Sequence, residues 1–86
     1  MRTLGFIEHP VYKISVFMWS EKYIVKVEAG LFEISYKFRE SDFSSWKQLK
    51  ELFDEALMNE IGNTFKKMSA DMQSAAGRFV KRGGIA

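Results

Sequence analysis

Phe17, Trp19 and Ile24 are large apolar residues at positions where strand alternation calls for polar ones, and Lys22, Lys26, Lys37 and Arg39 share their side. Rings on a wet surface can stack on bases, at roughly 1–3 kcal/mol per base, while cations attract phosphates. That is the chemistry a single-stranded nucleic acid requires. The competing reading is burial by protein. The C-terminal helical part, or a second copy of the chain, would then pack over the same rings.

The sequence carries no catalytic constellation. His9 is the only histidine, and beside Pro10 in a loop it reads as ordinary surface. With no cysteine there is no disulfide framework and no thiolate for catalysis or zinc. Glu28 and Glu33 are expected to face lysines, not each other. Neither of the glycine-rich phosphate loops, G-x-x-x-x-G-K-[ST] or G-x-G-x-x-G, occurs. The expectation is a protein that is not an enzyme, takes no cofactor or metal and has no small-molecule substrate.

The elements that position these residues lie in 11–39. Three runs rich in Val, Ile, Tyr and Phe alternate in character, separated by turn-like S-E-K and A-G breaks. This is the pattern of an antiparallel meander with one buried face. The core face takes Tyr12, Ile14, Val16, Met18, Tyr23, Val25, Val27, Phe32, Ile34, Tyr36 and Phe38. One allowed register uses two-residue turns at Ser20-Glu21 and Ala29-Gly30. It sets Lys13 opposite Glu28, Phe17 opposite Ile24, Lys26 opposite Glu33 and Ile24 opposite Ser35. Longer loops are also allowed, because Ser-Glu is not a strong primed-turn pair. Residues 3–8 are a candidate fourth strand, and Pro10 separates them from the meander.

Helical patterning follows. The spacing of Phe43, Trp46, Leu49, Phe53, Ala56 and Leu57 gives a helix starting near Ser41-Asp42 one apolar side. Ser45 with Gln48 offers an alternative capping box. Ile61, Phe65, Met68, Met72, Ala75 and Phe79 then form an a/d seam. Gly62-Asn63 interrupts it, and two readings stay open. Either the helix stops there and a second one folds back, or a single helix spans 42–80. The single helix would be roughly 57 Å long against roughly 27 Å for an eight-residue strand, and its overhanging seam would need a partner.

The chain of 86 residues carries a net charge of +2. Residues 42–60 hold two lysines against five acids, whereas 61–86 hold five cations against Asp71. The basic end near Lys81 and Arg82 could assist an anionic partner or simply be solvated. The first ten residues lack the apolar run of a signal peptide, and no run approaches a membrane span. The expected location is cytoplasmic, with no membrane partner.

The runs Y-K-I-S-V-F and K-Y-I-V-K-V-E-A-G, followed by S-D-F-S-S-W-K-Q-L-K-E-L-F-D-E-A-L, resemble the Pur-like, Whirly and transcriptional-coactivator group of single-strand binders. The resemblance implies a binding surface on the sheet face and dimerisation through helices.

The expectation is therefore one α+β domain over 1–86. A three- or four-stranded antiparallel meander precedes one long or two shorter C-terminal helices packed on one sheet face. A flexible basic tail covers 81–86. The leading function is single-stranded DNA or RNA binding by Phe17, Trp19, Lys22, Lys26, Lys37 and Arg39, assisted by Lys81 and Arg82. The alternative is a homo-oligomeric interaction or assembly module, most simply a homodimer, working through Ile61, Phe65, Met68, Met72 and Phe79.

Overall fold

The structure is a computed structural model that describes residues 1–84. Four strands form one antiparallel sheet in the order β1-β2-β3-β4: β1 Arg2–Ile7, β2 Lys13–Trp19, β3 Lys22–Ala29 and β4 Phe32–Arg39. A short helix α1, Leu49–Leu52, and a long helix α2, Glu55–Lys81, follow. The architecture is α+β, and the fourth strand is formed. The chain divides into two compact units, 1–54 and from Glu55 onward.

Strand chemistry explains the sheet. β-branched and aromatic residues dominate β2 to β4, where they fit the pleated surface. The β2–β3 turn is Ser20-Glu21, and both residues take positive φ, 54° and 61°. That is the backbone of a type I′ hairpin, held without the usual Asn or Gly. Strand pairing on both sides imposes it. The β3–β4 turn is Gly30-Leu31, because Ala29 pairs with Phe32. The expected turn at Ala29-Gly30 is therefore corrected by one residue. A primed turn with a single positive-φ position needs glycine first, and Gly30 has φ 60°.

In β1 the register shifts between Thr3 and Gly5, so Leu4 is the extra residue of a bulge. A Cβ at Gly5 would come within 2.6 Å of the Trp46 ring. Glycine there lets the indole lie directly on the backbone of β1.

The first unit closes over the core face of its own sheet. Ile14, Val16, Val25, Val27 and Leu49 are at most 2% exposed. Phe43 meets Tyr23 and Phe38 edge-on at 6.2 and 5.8 Å, and Phe53 meets Tyr36 and Phe38 edge-on at 5.6 and 6.1 Å. The segment 43–53 thus runs over β4 and β3 with its phenylalanines and over β1 with Trp46.

That segment is less helical than its periodicity predicts. Glu40–Asp42 and Trp46–Gln48 are single 3-10 turns, and Phe43 between them is extended. The expected Ser45–Gln48 capping box is corrected: both side chains cap, but on neighbouring amides and not on each other's. Ser45 Oγ accepts from the Lys47 amide at 3.2 Å, and Gln48 Oε1 accepts from the Ser44 amide at 2.9 Å. The helix then breaks at Phe53, whose φ of −83° and ψ of 64° leave the helical region.

Helix α2 runs unbroken for 27 residues through Gly62 and Asn63. The expected stop at Gly62-Asn63 and the expected single helix over 42–80 are both corrected, since the break lies at Phe53. One interior glycine costs about 1 kcal/mol against alanine, which a long run of better helix formers offsets. At 1.5 Å per residue the helix is roughly 40 Å long. It ends in a defined cap. Gly84 N donates to Phe79 O at 2.9 Å and Gly83 N to Val80 O at 3.0 Å, with Gly83 at φ 84°. These are the paired bonds of a Schellman motif. The expected flexible tail thus begins as helix and cap through Gly84. Residues 85–86 lie outside the described residues.

No helix among the described residues is long and apolar enough to cross a membrane.

Candidate functional site

The face of the sheet opposite the core gathers the residues expected to bind. Across β2, β3 and β4 they lie in rows. Trp19 faces Lys22, which faces Arg39. Phe17 faces Ile24, which faces Lys37. Ser15 faces Lys26, which faces Ser35, and Lys13 faces Glu28, which faces Glu33. Face membership was legible because side chains alternate strictly in a strand.

Three expectations are corrected. Lys26 faces Ser35 and not Glu33, Ile24 faces Lys37 and not Ser35, and Glu33 faces Glu28 and not a lysine. The later turn moves β4 by two residues against β3. A two-residue slip preserves the face and changes every partner.

This slip reorganises the electrostatics. Glu28 and Glu33 now share one end of the open face with Lys13. Lys22 and Arg39 share the other end with Trp19, and Lys37 sits one row in. The expected neutralisation of Lys26 by Glu33 is replaced by a cation–π contact, with Lys26 Nζ 5.1 Å from the Phe17 ring centroid. Lys67 and Asp71 form an ion pair on α2, at 2.8 Å. Among the described residues, Lys22, Lys26, Lys37 and Arg39 carry no carboxylate partner.

The rings differ in access. Trp19 is 54% exposed, Phe17 is half-buried and Ile24 is buried. Phe6 adds a further exposed ring, since it pairs with Ser15 from β1 and so joins this face. Sequence reasoning missed it. The signal was the alternation of residues 3–8, which places Phe6 on the open side only once the β1–β2 register is known.

A surface depression of 440 Å³ adjoins the basic end, lined by Ser20, Glu21, Lys22, Arg39, Glu40 and Ser41. Glu40 N donates to Glu21 O at 3.1 Å, extending the β3–β4 ladder by one pair beyond Lys22 and Arg39. The lining thus brings two cations together with two acids, Glu21 and Glu40.

Lys81 and Arg82 belong to the second unit, in the last turn and cap of α2. There they complement the negative end of the helix dipole. Along the expected oligomer seam, Ile61 and Phe65 are buried, Met68 is half-buried, and Met72 and Phe79 are 57% and 46% exposed. Val80 beside them is exposed as well.

His9 has a structural occupation. Its Nδ1 accepts from the amides of Val11 and Tyr12 at 3.1 and 3.2 Å, and its ring stacks on Tyr12 at 5.2 Å. It fixes the Pro10 corner between β1 and β2.

No protein family, curated protein or solved structure matches this chain.

Proposed function

We propose that the chain is a small non-enzymatic protein that binds single-stranded nucleic acid on the open face of its sheet. The observation that supports this best is the row Trp19–Lys22–Arg39. Two cations without carboxylate partners stand beside an exposed indole, and the next row adds Phe17 and Lys37. Trp19, Phe17 and Phe6 offer rings to bases, and Lys22, Lys26, Lys37 and Arg39 attract phosphates. The arrangement is also what the resemblance to the Pur-like and Whirly group implies. Stacking accepts the face of any base, so the expected preference is for single strands of any base content.

The test is titration with single-stranded DNA and RNA followed by tryptophan fluorescence at low and moderate salt. Saturable quenching that weakens as salt rises is expected, and Trp19→Phe should remove most of the signal while Trp46 remains. An unchanged spectrum at low salt overturns the proposal.

A second reading is favoured by one observation. The exposed end of the α2 seam, Met72, Phe79 and Val80, is apolar surface of the kind that oligomers cover. Under that reading Met72→Asp abolishes self-association and nucleic acid has no effect.

A further inference from the structure

The two edges of the sheet are built differently. β1 has six residues, a bulge at Leu4 and Pro10 just beyond its end. Short length and a bulge are the usual protections of an exposed edge. β4 has eight residues, pairs with β3 without a register shift and contains no proline. It is a long, regular edge.

The phase of its free backbone groups is fixed. Glu40 N donates to Glu21 O, so the even-numbered residues of this strand bond inward to β3. Glu33, Ser35, Lys37 and Arg39 therefore present their N–H and C=O groups outward. The core-facing side chains of β4 are also incompletely covered. Phe32, Ile34, Tyr36 and Phe38 are all half-buried, whereas Val25 and Val27 beside them are fully buried.

We propose that β4 pairs antiparallel with β4 of a second copy, about a two-fold axis at Ser35. This register sets Glu33 against Lys37 of the second copy, and Lys37 against its Glu33. Ser35 meets its own equivalent between them. On the other face Phe32 meets Phe38, and Ile34 meets Tyr36, each twice. Outward backbone groups fall opposite one another, as the antiparallel ladder requires. A parallel in-register pairing would set Glu33 on Glu33 and Lys37 on Lys37, which like-charge repulsion disfavours. A slip of two residues one way keeps an attractive pair, Glu33 with Arg39, but sets Phe32 against Glu40; a slip the other way sets Glu33 against Ser35 and Phe38 against Gly30. The register about Ser35 is the one that pairs Glu33 with Lys37 and also pairs all four apolar residues of β4 with one another.

The product is a continuous eight-stranded sheet. Its two-fold axis is perpendicular to the sheet, so both open faces lie on one side. Lys37 is then held by the pair, and Lys22, Lys26 and Arg39 remain for phosphates. The pairing rests on the edge and its charges, and it is measured without nucleic acid.

The experiment measures mass by sedimentation over a concentration series, on the full chain. The wild type is expected to form a dimer whose population rises with concentration. Glu33→Lys alone and Lys37→Glu alone should each weaken it by about tenfold or more, because each turns two attractive pairs repulsive. An equimolar mixture of the two variants should restore a heterodimer, and the double variant E33K/K37E should restore a homodimer. Both positions are exposed, and circular dichroism checks that each variant is folded. Hydrogen exchange should show the amides of Glu33, Ser35 and Lys37 protected at high concentration and open at low. A wild type that stays monomeric, single variants that associate normally, or a mixture that does not recover would each overturn the proposal.

Discussion

Lys22 stands directly opposite Arg39 across the β3–β4 ladder, two like charges in one cross-strand pair beside the exposed ring of Trp19. A directly opposed like-charge pair is destabilising. The sheet carries it at one end of the open face and carries Glu28 opposite Glu33 at the other. Charge is thereby segregated along the strands where pairing with opposite partners would have neutralised it.

Replacing one member separates stability from binding. Lys22→Glu converts repulsion into attraction and should raise stability by a few tenths of a kcal/mol. The same change should weaken single-strand binding and lower its salt dependence. Thermal unfolding and a salt-series titration read the two effects. A variant that is more stable and binds as well as wild type would remove Lys22 from the interface.

Gly5 tests the cover of β1. A Cβ there would meet the Trp46 ring at 2.6 Å. Gly5→Ala should push the indole off the strand and cost about 1–3 kcal/mol, as overpacking does. Chemical denaturation measures the loss. The emission of Trp46, isolated in a Trp19→Phe background, should shift as the ring moves.

The β2–β3 turn can be improved. Ser20 and Glu21 both occupy the left-handed region, which disfavours most residues other than Gly, Asn and Asp. Ser20→Asn with Glu21→Gly supplies the residues that a type I′ turn prefers. Stability should rise by about 1 kcal/mol, read from the denaturant midpoint at unchanged slope. A decrease would show that the Glu21 side chain contributes more than its backbone strain costs.

The sequence by itself determined which residues form β2 to β4, which side of the sheet each of them faces, and where the apolar seam of α2 runs, whereas β1 was only a candidate. Those properties follow from periods of two and 3.6 residues, which are local. Tyr23, Val25 and Val27 had to share a face whatever their neighbours were. The partners across the ladder were decided only by tertiary structure. A turn at Gly30-Leu31 instead of Ala29-Gly30 leaves every face unchanged, yet it gives Lys22 to Arg39 and Lys26 to Ser35. The sequence could not choose between these turns, because both satisfy the alternation and the choice depends on backbone strain within a paired ladder. The helix break was decided in the same way. Gly62 looked like the weak point by propensity. The chain turns at Phe53 instead, where the ring packs edge-on against Tyr36 and Phe38 and the backbone leaves the helix. Side-chain periodicity is a property of neighbours in sequence, whereas register and helix breaks are set by contacts between residues far apart in the chain.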